Sequence, residues 1–545
     1  MAVGKSSMLV STLLLLVHVC LAAAAEKMLI GYFPNWLYAN YPVEQIPYEK
    51  YTHLNYAFAI LNNEDLLPSF PDDWAVEFYL PKLVSLAHQA DTKVLLSIGG
   101  WTGSQRFSSM VASPEARQRF IDWNVNFIRD YGTDGVDIGK WYYWEYPGRQ
   151  GAGCNEYETN DADNFLVLLK ELRETLDQEF ADDYKEISLA VHVDPFTGSD
   201  GKPMTDVSAY VPYFDHINLM TYDINGAWAT ETGPNAPFQR EEGKGASYSF
   251  VDSIKAWKNA GVPGNKITAG LAFYGRSIKA KVDMSQDPSS QYQPAIVGAP
   301  KGDSDDAYWA DPYCAADIDG VSGVWKWTNL RSEGVLGDDW ETTGQGWVRY
   351  WDDVSKTPWL FHPESKVYVS YDDPKSIGIK VDHALCEDLA GVMIWDLHQD
   401  NGELLNVAQR IRSDTPASCS MEKSSVNSIA NAPTPRVSAQ ASSVQHSAPG
   451  SRTTFTTTSR LVVPSSSIDN VVSPSYEATS PMLGHPIDSE SCNTPGEQRC
   501  VDSGRSPDWI TCNYNKWVVR SCAAGAVCHE NEQGNFFCGH ADAVY

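Results

Sequence analysis

The sequence predicts an α/β chain: a (β/α)8 TIM barrel with an α+β insertion before its last strand, then a small disulfide-rich module. Three observations carry this. Eight short apolar runs alternate with amphipathic stretches before residue 415. A gap from about Ser277 to Leu385 separates the seventh run from the eighth, too long for one loop. Cysteines crowd into the C-terminal end, where Cys492, Cys500, Cys512, Cys522, Cys528 and Cys538 lie close together.

In chain order, Lys5, the apolar run Met8–Leu21 and the small residues Ala22–Ala25 have the make-up of a secretory signal peptide over 1–25. That run is short for a membrane-spanning helix. Its removal takes Cys20 and leaves ten cysteines, an even number suited to an oxidising compartment. The globular stretch 26–415 follows. Its candidate strands are Met28–Phe33, His53–Phe58, Val94–Ile98, Gly135–Ile138, Ile187–Val191, His216–Met220, Ile267–Ala272 and Gly391–Ile394. Continuous apolar runs of this length suit parallel strands buried on both faces. Between them, Ala116–Tyr131 carries Phe120, Trp123, Phe127 and Ile128 near helical spacing, and Ala162–Phe180 carries Phe165, Leu166, Leu169 and Leu172. Strand–helix alternation repeated eight times is the pattern of a closed parallel barrel, with an inserted subdomain over about 277–385.

Residues 416–488 read as a Ser/Thr/Pro-rich linker: these three types supply 31 of the 66 residues from Pro416 to Pro481. Too few apolar side chains remain there to offset the entropy of ordering the chain. Residues 489–545 form the Cys-rich module, and its six cysteines leave fifteen pairings open.

The chain carries 41 basic and 70 acidic side chains, a formal charge of −29, nearly all of it on 26–415. Such an acidic excess excludes nucleic acid and anionic membrane as partners, since both need basic patches. With 18 Trp and 27 Tyr, the composition suits a neutral, ring-stacking ligand such as a sugar. No metal or other cofactor is expected, and the protein is expected to act as a monomer.

The strand ends carry the chemistry. Ser97-Ile-Gly-Gly100 ends the third strand, and Asp134-Gly-Val-Asp137 with Trp144-Glu-Tyr-Pro-Gly148 belongs to the fourth. Met220-Thr-Tyr-Asp223 follows the sixth, Tyr274-Gly-Arg276 the seventh, and Trp395 ends the eighth. In this order and register the motifs resemble the family 18 glycoside hydrolases, over about Lys27 to Val407. The resemblance implies a secreted endo-chitinase acting on β-1,4-linked N-acetylglucosamine polymers. Glu145 would be the acid that protonates the leaving oxygen, its proton affinity raised by desolvation beside Trp144 and Tyr146. The substrate's own acetamido oxygen replaces a protein nucleophile in this family. Asp137, Tyr222 and Asp223 would join Glu145 in the catalytic set, with Tyr222 and Asp223 orienting the acetamide. Trp395 would form the floor under the distorted sugar. Tyr32, Phe58, Gly99, Gly100, Trp101, Tyr146 and Met220 would complete the substrate cleft, the two glycines through close backbone packing.

One departure stands out. The family pattern runs Asp-Gly-x-Asp-x-Asp-Trp-Glu, whereas this chain reads Asp134-Gly-Val-Asp137-Ile-Gly-Lys-Trp-Tyr-Tyr-Trp144-Glu145. The middle aspartate is missing, and Gly139–Tyr143 stands in its place. With the insert extended, Asp137 would lie roughly 26 Å from Glu145 at about 3.3 Å per residue, against about 13 Å in the family pattern. If the strand instead slid to keep Glu145 at the mouth, Trp141 and Tyr143 would occupy the aspartate positions. A bulge expelling the insert would restore Asp137 alone. Gly139-Lys-Trp141 can be encoded by a sequence containing the intron donor GTAAGT, so a gene-model error or isoform and a genuine variant both account for the segment. A genuine variant would be weakly active or a non-hydrolytic chitin lectin.

The C-terminal stretch from about Ser491 to Cys538 resembles the family 19 carbohydrate-binding modules of fungal chitinases, through Pro495-Gly496 and Cys512-Asn-Tyr-Asn-Lys-Trp517-Val-Val-Arg520-Ser-Cys522. The resemblance implies chitin or chito-oligosaccharides as partner and an extracellular or cell-wall location. Trp509 and Trp517 would stack on sugar rings, or Trp517 would form the small core. An endo-β-N-acetylglucosaminidase acting on glycoproteins is a third possible activity, disfavoured by this module.

Overall fold

The computed structural model describes residues 26–37, 40–100, 104–139, 154–314, 320–413 and 419, and in the C-terminal module 498–501, 505–506, 508–513, 516–521, 527–530 and 536–539. The predicted signal segment, the predicted linker except Cys419, and Trp101, Glu145, Tyr146, Cys492 and Cys522 lie outside these residues. The chain divides into two compact units, 1–436 and 437–545.

Eight parallel strands close into a ring in the first unit. They are β1 (Met28–Pro34), β2 (His53–Leu61), β3 (Lys93–Gly99), β4 (Gly135–Gly139), β5 (Glu186–Val191), β6 (His216–Leu219), β7 (Ile267–Ala272) and β8 (Gly391–Trp395). β1 pairs with both β2 and β8, which closes the barrel. Each strand is almost entirely buried, because helices cover the outside while side chains fill the lumen. Among the covering helices, Pro114–Tyr131 begins two residues before the predicted start. The Ser113 hydroxyl accepts from the Ala116 N–H, Pro114 fits the first turn, and Gly132 ends the helix at φ +68°. Asp161–Glu179 buries Phe165, Leu168, Leu169, Leu172 and Leu176 along one face.

The insertion rises from the end of β7 as an antiparallel sheet. Its strand Tyr274–Ala280 lies beside Ala295–Ile296, Val324–Lys326 and Val367–Ser370, and the sheet continues through Thr357–His362 to Val348–Asp352. Ile278, Trp359, Phe361 and Tyr368 give it a core of its own. The helix Pro374–Cys386 then returns to pack on the barrel beside β7 and β8. Two disulfides fasten this unit, Cys154–Cys314 and Cys386–Cys419.

The second unit contains a three-stranded antiparallel sheet (Gln498–Cys500, Asp508–Asn513, Lys516–Ser521) and a hairpin (Val527–Glu530, Phe536–Gly539). Of the fifteen pairings open to its cysteines, Cys500–Cys528 is one that forms. Trp509, Cys512, Trp517 and Cys538 have their backbones in these strands.

Candidate active site at the barrel mouth

The register of β4 decides what becomes of the interrupted motif. Asp137 lies opposite Ser97 on β3 and Ser188 on β5, and Gly139 lies opposite Gly99 and Ala190. Asp137 and Gly139 hold these rungs of the ladder themselves; Trp141 and Tyr143 lie outside the described residues. Alternation along a strand puts residues 137 and 139 on one face. At the position two residues beyond Asp137, where the motif calls for its middle carboxylate, the side chain is a hydrogen atom.

Asp137 itself is fully buried and fully engaged. Tyr32 donates its hydroxyl to Oδ2 at 2.8 Å and Ser97 to the same oxygen at 2.7 Å. Ser188 donates to Oδ1 at 2.6 Å and the Asn218 amide at 3.1 Å. Thr268 holds that amide in place by donating to its oxygen at 2.7 Å. Burial pushes the Asp137 carboxyl above its ordinary pKa, while the four donors pull it back only in part. Tyr32, expected to line the cleft, points instead into the lumen with no exposed surface. Its hydroxyl is held well above its usual pKa, first by burial and then by the Asp137 charge, so it stays a donor.

Above this layer the predicted residues meet. Phe58 stacks on Trp395 at 5.7 Å between ring centroids, and Tyr32 packs on the same indole from another side at 5.7 Å. Met220, Tyr222, Met393 and Tyr274 belong to the same cluster. Gly100 sits at φ +88°, where a Cβ would come within 2.9 Å of the Phe58 ring, so the second glycine makes room for that ring. Trp36 extends the row, 6.1 Å from Phe58 and more than half exposed.

Tyr222 is buried, with its hydroxyl 3.6 Å from the Met393 sulfur. Burial, followed by the charges of Asp223, Asp137 and Asp396, raises its pKa well above the usual tyrosine value. Asp223 adopts φ +57°, a left-handed conformation that aspartate tolerates, and its N–H donates to the Asn235 side chain at 3.0 Å. Its carboxylate accepts from the Tyr274 hydroxyl at 2.6 Å and from both Nε and Nη2 of Arg276, the latter at 2.7 Å. This two-point pairing fixes the carboxylate plane. The Arg276 guanidinium also lies 5.3 Å from the Trp228 ring. Ser97, Ser188, Asn218, Tyr274 and Arg276 had no assigned role in the sequence. Isolated polar residues inside otherwise apolar strands were the available signal for the first three.

The glycosyl hydrolase family 18 model matches residues 28–400, which includes every strand of the barrel. The chain belongs to family 18 of the glycosyl hydrolases. The family 19 carbohydrate-binding model matches residues 473–533 of this family 18 chain. Similar proteins include a chitinase-like effector of Moniliophthora roreri, 34% identical over 74% of this chain and 96% of that protein. Chitinase A1 of Niallia circulans is 28% identical over 72% of this chain and 59% of its own length. Among solved structures, a Rhizomucor miehei chitinase superposes with a TM-score of 0.63 at 33% identity, covering 71% of this chain and 100% of that one. The Ostrinia furnacalis Group IV chitinase in complex with allosamidin gives 0.58 at 28% identity, over 71% and 98%.

Proposed function

We propose that this family 18 chain acts outside the cell on β-1,4-linked N-acetylglucosamine chains, holding them at the barrel mouth and cleaving them, as its sequence stands, at a near-background rate. The observation that carries this is Gly139 in the register position of the middle carboxylate. In substrate-assisted retaining chemistry the acetamido oxygen attacks the anomeric carbon while an acid, here Glu145, protonates the leaving oxygen. A carboxylate beside that acid orients the acetamide and balances its developing charge. Without it, Tyr222 and Asp223 remain to orient the group, with Trp395 beneath the sugar. Binding is then the better preserved half of the function. Whether chains are attacked internally or from an end depends on access from above the mouth.

Export is supported by the signal-like N-terminus and by Cys154–Cys314, Cys386–Cys419 and Cys500–Cys528. The module matched by the family 19 model supports chitin over glycoproteins as the target, since a tethered binding module raises local concentration at an insoluble surface.

A pull-down on chitin beads run beside a turnover assay with chito-oligosaccharides tests the proposal. The protein should be retained on the beads and show near-background turnover. Turnover within about tenfold of an intact family member would overturn the impaired reading and leave an ordinary chitinase.

A further inference from the structure

The turn that carries Asp223 is held by a residue with no place in the catalytic set. Asp223 lies beyond β6 in a left-handed conformation, φ +57°, which a backbone keeps only where its surroundings fix it. The chain runs out past Trp228 and returns at Pro234 and Asn235 to clasp that turn. The Asp223 N–H donates to the Asn235 side-chain oxygen at 3.0 Å, and the Ile224 N–H to the Asn235 carbonyl at 2.9 Å. Beside them, the Asn225 amide donates to the Pro234 carbonyl at 2.9 Å.

Asn235 is buried, and each of its four polar groups has a partner. Its N–H donates to the Ser370 hydroxyl at 2.7 Å, and its Nδ2 to the Tyr274 carbonyl at 3.3 Å. These neighbours fix the orientation of the amide: turned over, Nδ2 would face the Asp223 N–H and Oδ1 the Tyr274 carbonyl. Both outer partners belong to the insertion. Tyr274 opens the strand Tyr274–Ala280, and Ser370 lies opposite Arg276 in the ladder beside it. The same strand supplies the Tyr274 hydroxyl and the Arg276 guanidinium that hold the Asp223 carboxylate.

The bonds close a ring of three residues. Asp223 donates its N–H to Asn235, Asn235 donates Nδ2 to the Tyr274 carbonyl, and Tyr274 donates its hydroxyl back to Asp223. The backbone and the carboxylate of Asp223 are therefore both referred to one strand, and Asn235 is the part that joins the backbone to it. Without Asn235 the carboxylate clasp would survive while the turn beneath it came loose.

We propose that Asn235 is a positioning residue of the barrel mouth, holding Asp223 in its left-handed turn so that the carboxylate meets the acetamido group of a bound N-acetylglucosamine unit. It acts through Asp223 and not on the sugar. This rests on the chitin reading above.

The test titrates the full chain with chito-hexaose. Binding that persists in Trp395→Ala is assigned to the C-terminal module and subtracted. Asn235→Leu keeps the side-chain bulk and removes both side-chain hydrogen bonds. It should weaken barrel binding at least ~10-fold, a gap of about 1.4 kcal/mol. The same substitution made in Asp223→Ala should cost less than about 2-fold, because no carboxylate remains to be misplaced. A residue that only supports the fold would cost the same factor in both backgrounds. Equal losses, or no loss in the native background, would overturn the assignment and leave the chitin reading standing. Should Asn235→Leu not fold, Asn235→Ala is taken through the same cycle and read by the same two outcomes. If the native barrel does not bind chito-hexaose, the chitin reading fails and the role of Asn235 with it.

Discussion

Gly139 on β4 faces Gly99 on β3 at the last rung of their ladder, and the Gly100 N–H donates to the Gly139 carbonyl at 3.0 Å. The strand is therefore in place up to the position where a carboxylate is missing. Replacing Gly139→Asp while deleting residues 140–143 rebuilds the uninterrupted motif up to Glu145. Turnover of chito-oligosaccharides should rise by about 10²-fold or more, the range associated with positioned acid–base groups. Oligomer affinity should change little. An unchanged rate would show that the missing carboxylate is not what limits this chain, and transcript sequencing across the segment would report which form is expressed.

Gly100 tests the aromatic floor. A Cβ at φ +88° meets the Phe58 ring, which stacks on Trp395. Gly100→Ala should destabilise the barrel by about 1–3 kcal/mol through strained backbone and displaced ring. It should also weaken soluble-oligomer binding. Stability is read by urea unfolding and affinity by titration. A stable variant with native affinity would mean that Phe58 moves aside without disturbing Trp395.

The lower end of the barrel predicts an acid sensitivity. His216 is fully buried, and neither ring nitrogen has a hydrogen-bond partner among the described residues. Burial, then the neighbouring His53, pushes its pKa down to about 3. The unfolded chain binds this proton from pH ~6.5 downward while the native state refuses it until about pH 3. Stability is thus fully present above that range and falls with pH inside it, by about 1.4 kcal/mol per unit from this one group. Glu186, which His53 contacts at 3.0 Å, has a lowered pKa although burial alone would raise it, so its contribution is also lost in acid. Unfolding midpoints at neutral and mildly acidic pH should fall more steeply for the native chain than for His216→Leu. Parallel slopes would refute the assignment.

The C-terminal unit is expected to act as an anchor. Removing residues 437–545 should cut retention on insoluble chitin by about tenfold or more and leave soluble-oligomer binding unchanged. Trp517→Ala should reproduce the loss if that ring meets sugar. Undiminished retention would assign surface binding to the barrel.

The eight barrel strands were legible because each is a continuous apolar run, and their ends moved by only a few residues: Met28–Phe33 extends to Pro34, and His216–Met220 stops at Leu219. Long-range partnerships were not legible. Arg276 reaches Asp223 only because the strand Tyr274–Ala280 turns back over the mouth, a consequence of where the insertion is rooted. Tyr32 read as a cleft aromatic because its type suits sugar, whereas strand parity sends it inward to Asp137. The serines at 97 and 188 stand out in sequence only as polar residues inside apolar strands, and their shared partner Asp137 emerges when β3, β4 and β5 come into register.

The disulfide Cys386–Cys419 bears on mechanics. Cys419 is the last described residue of the first unit, and Cys386 ends a helix packed beside β7 and β8. Any pull applied to the chain beyond Cys419 enters the barrel at that covalent joint. The segment Glu403–Arg412 between the joined cysteines lies outside the load path, so pulling does not peel it from the barrel.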